Sequence, residues 1–217
     1  MTTHVDLYYT MRSPYCYLST PQLGELVDAF DLRFDLKPVY PLALSDPTFF
    51  VRVNPLWPPY LFKDTARIAK RLQIPFRWPN PDPVVQDMAT RVVSKEQPYI
   101  RRLTYLAQLA AEKELGLEFV SAVGPLLFNA EGKNWLTGTR LADAVGHAGL
   151  NLAELDEAAV HEADRIEAAV LGNREAQLST GHWGAPLFVH AGEIFFGQDR
   201  IEDLVWYLQH QGLRQRA

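Results

Sequence analysis

Three short segments bring together side chains that can do chemistry. Ser13-Pro14-Tyr15-Cys16 stands where a short apolar run gives way to helical spacing, Pro186 lies at the start of a second apolar run, and Gly197-Gln198-Asp199-Arg200 precedes a last helical pattern. Ser13 is a good N-cap, and Pro14 occupies the favoured first helical position. The first-turn amides of such a helix carry partial positive charge and have no intrahelical partner, so a negative charge placed there is stabilised. Taken locally, Ser13 is accounted for as a cap worth about 1 kcal/mol. Asp199 reads equally as a first-turn acid of the last helix or as a ligand-binding carboxylate, and Gly197 as a residue needed for backbone geometry. Cys16 is the single cysteine. It falls on the apolar face of its helix, where packing is the expected role, and alone it forbids an intramolecular disulfide or a cysteine-rich zinc site.

Other chemistries find less support. Glu157, His161 and Asp164 share a helix face at metal-like spacing, but no further ligand is identifiable, so a solvated surface and no metal are expected. The chain has no G-x-G-x-x-G fingerprint, Walker loop or nucleophile elbow. A formal net charge of −5 gives no electrostatic reason to expect nucleic acid, and Arg101-Arg102, Arg214 and Arg216 read as solvated positions. No apolar run approaches the roughly 20 residues of a membrane helix. The first residues lack a basic stretch followed by an apolar core, so a cytoplasmic location is expected.

The elements that must position these residues can be placed from periodicity. Residues 5–10 read as a buried strand, and a helix follows from Ser13 with Cys16, Thr20, Leu23, Val27 and Phe30 at helical spacing; Pro21 inside it predicts a kink. Residues 32–39 alternate apolar and polar, a second strand, so strand-helix-strand suggests a parallel pair with a crossover helix. Pro47, Pro55, Pro58 and Pro59 mark an irregular connection. Helical patterns then begin at Leu61, Ile100, Phe119 and Leu155, with Gly132 as a C-cap after the third. Residues 185–190 and 193–196 read as a hairpin joined by Ala191-Gly192, and a final helix places Ile201, Leu204, Val205 and Leu208 on one face. Net, the pattern is an α/β domain with an all-α insertion.

In their order and spacing, Ser13-Pro14-Tyr15-Cys16-Tyr17-Leu18, Gly184-Ala185-Pro186-Leu187 and Gly197-Gln198-Asp199-Arg200 resemble segments of the 2-hydroxychromene-2-carboxylate isomerases and kappa-class glutathione transferases, in the DsbA-like superfamily. Tyr60-Leu61, Asp64, Arg67 and Ala69, followed by Ile74-Pro75-Phe76, are similar to that family's first insertion helix. The resemblance implies a DsbA-like thioredoxin fold, residues 1–45 and 178–217 forming the thioredoxin-like domain and 46–177 the helical insertion. It implies a glutathione cofactor, a small aromatic or conjugated substrate and a homodimer. Ser13, in the place of the usual redox cysteine, would donate to the glutathione thiolate without being able to form a disulfide. Ala185, before a cis Pro186, would pair with the tripeptide backbone; Gln198 and Asp199 would hold its γ-glutamyl end; Asn54 would reach a carboxylate or else shape a turn. Trp57 and Tyr60 fall either to the insertion's core or to the wall of an apolar substrate pocket; His182-Trp183, near the expected active site, falls to loop packing or to contact with substrate.

Three departures accompany the likeness. Thr10 stands where the family commonly has an acidic residue, and Cys16 where the isomerases usually have serine. Trp57 replaces a lysine that contacts the glycyl carboxylate, leaving Lys63 or Arg12 to substitute. The expected activity is a glutathione-dependent isomerisation or transfer. Two rivals remain: a thiol-disulfide oxidoreductase using Cys16 singly, and a non-catalytic ligand-binding relative.

Overall fold

The apolar and aromatic run expected to form the first strand does so, as β1 (Thr3–Tyr9), and the alternating run forms β2 (Leu32–Pro38) with Leu32, Phe34 and Leu36 buried. Between them lies α1 (Pro14–Ala29), the crossover that makes β1 and β2 parallel, with Leu7 opposite Leu36. Pro21 removes one amide donor, yet α1 is unbroken across it. The hairpin is β3 (Leu187–His190) and β4 (Glu193–Phe196), closed by Ala191-Gly192. β3 pairs antiparallel with β1, so the sheet order is β2-β1-β3-β4. This computed structural model describes residues 2–87, 90, 92–128, 131 and 133–216. The expected C-cap at Gly132 lies outside the described residues.

Between β2 and β3 the described residues are helical: α2 (Leu42–Ser45), α3 (Phe49–Arg52), α4 (Trp57–Leu72), α5 (Pro98–Glu112), α6 (Gly116–Phe128), α7 (Arg140–His147), α8 (Leu152–His161) and α9 (Ala163–Ser179). Two readings need correction. Pro58 and Pro59 are not in an irregular connection; they sit in the first turn of α4, where a missing N–H costs no hydrogen bond. The single helix expected from Leu155 to Val170 is two, because Glu162 leaves the helical conformation (φ −114°, ψ 22°). The apolar face continues across the break, with Leu155, Ile166 and Val170 all buried. α2, α3 and α7 are too short to show a helical period in sequence.

After β4, Gln198–Arg200 form a single 3₁₀ turn, and α10 (Ile201–His210) follows it rather than starting at the motif itself. Buried side chains of the sheet, α1 and α10, such as Leu7, Leu18, Phe188 and Leu204, belong to one apolar cluster with Leu103, Leu106 and Phe119 of the helical segment. Among the described residues no helix is long and apolar enough to cross a membrane.

Candidate active site

The parallel β1–α1–β2 unit sets the site, because the turn after β1 delivers the start of α1 to the C-terminal end of an interior strand. Ser13 N–H donates to the Thr10 carbonyl (3.2 Å), and Ser13 Oγ accepts from the Cys16 N–H (3.3 Å), so the residue caps α1 as its sequence context predicts. The same hydroxyl donates to the carbonyl of Ala185 at 3.4 Å. That bond is long, near the limit of the geometry, and leaves the hydroxyl hydrogen open to a better acceptor.

The opposing wall is the segment leading into β3, and the Ala185–Pro186 peptide is cis. Each carbonyl from 183 to 186 has a donor. Arg174 reaches Trp183 O (2.7 Å), Gln177 Nε2 reaches Gly184 O (2.7 Å), Ser13 reaches Ala185 O, and Gly197 N–H reaches Pro186 O (3.0 Å). The Ala185 N–H has no acceptor among the described residues. A backbone donor without a partner among the described residues thus lies near the start of α1, in a loop whose carbonyls from 183 to 186 each already have a donor. Gly184 allows a close approach here: a Cβ would meet Phe196 Cε2 at 2.3 Å and His182 Cε1 at 3.0 Å, so the Phe196 ring would have to move.

Cys16 is fully buried, and burial pushes its thiol up to about 12, against the opposing pull of hydrogen bonds from the Thr10 backbone and the Ser13 hydroxyl. A thiol so placed is neutral at physiological pH, as expected of a packing residue.

The helical segment supplies the third wall. Tyr15, on the first turn of α1, donates to Asp64 Oδ2 of α4 at 2.8 Å; Tyr60 donates to Asp64 Oδ1 at 3.4 Å, and Arg67 pairs with it at 3.2 Å. The Tyr15 phenol is held above its ordinary pKa, by burial first, then by its bond to Asp64, with the Asp199 charge near enough to add to the effect. Tyr60 and Asp64 are four apart on one helix, so their meeting was legible in sequence; the link to Tyr15 was not.

Asp199 is exposed, 3.6 Å from the Arg200 guanidinium, and lies over Gly197, whose φ of 107° favours glycine. Gln198 is only 7% exposed, and its Oε1, like Thr10 Oγ1, is enclosed with no partner among the described residues. Asn54 shapes the turn between α3 and α4 by accepting from the Leu56 N–H at 2.9 Å, and among the described residues nothing joins it to Ser13 or Ala185. Trp57 packs edge-on to Phe49, which in turn meets Trp183 (ring centroids 5.9 and 5.8 Å apart), so the helical segment touches the loop before Pro186 through aromatic rings. Arg12 is committed elsewhere. It makes a two-pronged bond to Asp82 (2.8 and 2.6 Å) and lies over the Trp78 ring at 5.1 Å. Of the two cations expected to replace the absent lysine, only Lys63 is without an ion pair among the described residues.

A mixed sheet with a helix start facing a cis-proline, and a helical block between its second and third strands, defines a thioredoxin-fold protein with an insertion. The chain belongs to the DSBA-like thioredoxin domain family, whose model matches residues 4–209. None of the curated proteins matches it in sequence. Among solved structures it is similar to a 2-hydroxychromene-2-carboxylate isomerase (19% identity, TM-score 0.69, covering 96% of both chains). It is similar also to the cytosolic disulfide reductase DsbM from Pseudomonas aeruginosa (17%, 0.59, 96% of this chain and 98% of that one), which has been solved with GSH as well. A probable DsbA oxidoreductase from Streptomyces coelicolor matches at 17% identity and TM-score 0.66, over 95% of this chain and 88% of its own. At these identities the likeness shows the fold.

Proposed function

We propose that this protein is a glutathione-dependent isomerase or transferase acting on small conjugated molecules. The observation that carries the reading is the Ser13 hydroxyl at the start of α1, 3.4 Å from the Ala185 carbonyl, while the single cysteine is sealed beneath it. No protein thiol among the described residues is open to substrate, so the chemistry of a thioredoxin-fold site would draw on a bound thiol. Bound glutathione would supply a thiolate able to add reversibly to a conjugated double bond. The free Ala185 N–H fits a peptide backbone, pairing as a strand partner would. Ser13 would donate its hydroxyl hydrogen to the sulfur, and the positive end of α1 would lower the thiol pKa. Asp199 would answer the γ-glutamyl ammonium, with Gln198 bordering it, and Lys63 is the cation available to the glycyl carboxylate. The rings at Phe49, Trp57 and Trp183 offer an apolar wall to substrate.

A redox role through Cys16 would require that thiol to reach solvent, and it has no exposed surface. The test is calorimetric titration of reduced glutathione into the wild type, Ser13→Ala and Asp199→Ala. Saturable binding, weakened about tenfold by Asp199→Ala, is the expected result, a charge-assisted contact being worth roughly 1.5–3 kcal/mol. No heat at millimolar glutathione, or wild-type turnover by Ser13→Ala, would overturn it.

A further inference from the structure

The loop in front of Pro186 carries a ring whose hydrogen-bonding capacity is only half used. His182 Nδ1 accepts the Gly184 N–H at 3.0 Å. A nitrogen that accepts cannot carry the proton, so the neutral ring holds it on Nε2. Nε2–H has no partner among the described residues. The ring lies parallel to Trp183 (centroids 5.6 Å apart, 10° between planes) and against Phe196 (4.1 Å, 32°). These flanking rings are themselves 45% and 44% exposed, so together they present an apolar surface to solvent. Three residues further on, Ala185 receives the Ser13 hydroxyl.

We propose that His182, with Trp183 and Phe196, forms a carbonyl-recognising subsite for a flat conjugated molecule. The two exposed rings provide stacking surface, and the Nε2–H of the imidazole packed against both provides a single uncharged donor for an acceptor oxygen. This deepens the reading of the preceding section, on which it rests for the reaction. When a nucleophile adds to a double bond conjugated with a carbonyl, the π pair moves onto the carbonyl oxygen. A donor fixed at that oxygen stabilises the developing charge. His182 gives a hydrogen bond and keeps its proton, so no further acid or redox partner is needed. Burial lowers the pKa of His182, which favours the neutral ring that the geometry requires.

The loop is built to hold this ring still. Arg174, the charged group brought to it from α9, grips Trp183 O, and Gln177 grips Gly184 O. Gly184 leaves the space that Phe196 and His182 occupy.

The experiment uses 4-dimethylaminobenzalacetone, a conjugated ketone whose absorption moves to the red when its oxygen accepts a hydrogen bond, with no thiol present. Binding is followed separately by quenching of tryptophan fluorescence, and folding by near-ultraviolet circular dichroism. His182→Asn keeps an acceptor for the Gly184 N–H but lacks a donor at the Nε2 position; His182→Gln restores an N–H there. The wild type is expected to bind the ketone with a red shift. His182→Asn should lose the shift and bind about tenfold more weakly, and His182→Gln should recover part of the shift. An unshifted band in the bound wild type, or a full shift in folded His182→Asn, would overturn the proposal. Because glutathione is absent, failure here is separable from failure of the glutathione titration.

Discussion

The Ser13 hydroxyl donates to the carbonyl oxygen of Ala185 across 172 positions of sequence, joining the start of α1 to the peptide before Pro186. That single contact brings the sheet's first turn and its third strand to one place. The same oxygen accepts the Cys16 N–H at 3.3 Å, so it stands one helical turn from the buried cysteine.

Replacing that oxygen by sulfur should therefore change the chemistry. Ser13→Cys places a second thiol at a helix start next to Cys16, at the spacing of a thioredoxin-fold redox pair. Oxidation is expected to give a species lighter by two hydrogens, and the reduced variant should reduce insulin disulfides where the wild type does not. Two free thiols persisting under mild oxidation would show the sulfur atoms to be misaligned.

In the wild type, Cys16 should be inert. With its thiol pushed up to about 12 and no exposed surface, the thiolate fraction at pH 8 is on the order of 10⁻⁴. Iodoacetamide should leave the folded protein unmodified over hours and label it stoichiometrically in denaturant, and oxidised glutathione should give no adduct by mass spectrometry. A mixed disulfide at Cys16 would restore the single-cysteine redox reading.

Arg12 illustrates a residue that looks available in sequence and is not. Its guanidinium holds Asp82, whose Oδ1 also accepts the Val84 N–H at 2.9 Å, and so ties the 75–87 segment to the turn before Ser13. Arg12→Ala should destabilise the protein by roughly 1–3 kcal/mol, because it leaves a half-buried carboxylate short of its partner. Urea denaturation measures this. Under the glutathione reading, Lys63→Ala should instead leave stability nearly unchanged and weaken glutathione binding. The opposite pattern would exchange the two roles.

Stability should fall on the acid side through His182. Burial lowers its pKa from 6.5, so in that window the unfolded chain binds the proton more readily than the folded one. Its contribution is complete above about pH 6.5 and is lost as pH falls through the lowered folded value. Protonation at Nδ1 would also set a donor against the Gly184 N–H. Arg174 remains charged throughout and holds the same loop, so it adds no slope of its own. Stability measured against pH should decline below 6.5 in the wild type and less steeply in His182→Asn. Equal slopes would assign the decline to other groups.

Much of this arrangement was legible in sequence because it is local. Ser13 caps α1 through the Cys16 amide three residues on, the 2-residue period of β2 fixes its buried face, and Ala191-Gly192 closes the hairpin. These depend on backbone chemistry within a few residues. The break at Glu162 and the start of α4 at Trp57 were not legible, since an apolar period continues across a one-residue break and a proline is compatible with both a loop and a first helical turn.

The sequence by itself determined the order of elements, the single cysteine and the residue types at each helix start. Only the tertiary structure decided their partners. It gave Arg12 to Asp82, Tyr15 to Asp64 and Asn54 to its own turn; it enclosed Gln198 Oε1 and left the Ala185 N–H and His182 Nε2–H without a partner among the described residues. The physical reason is that a side chain's function rests on what it still has to bond after packing. That remainder is set by neighbours that are distant along the chain: 70 positions away for Arg12 and 49 for Tyr15.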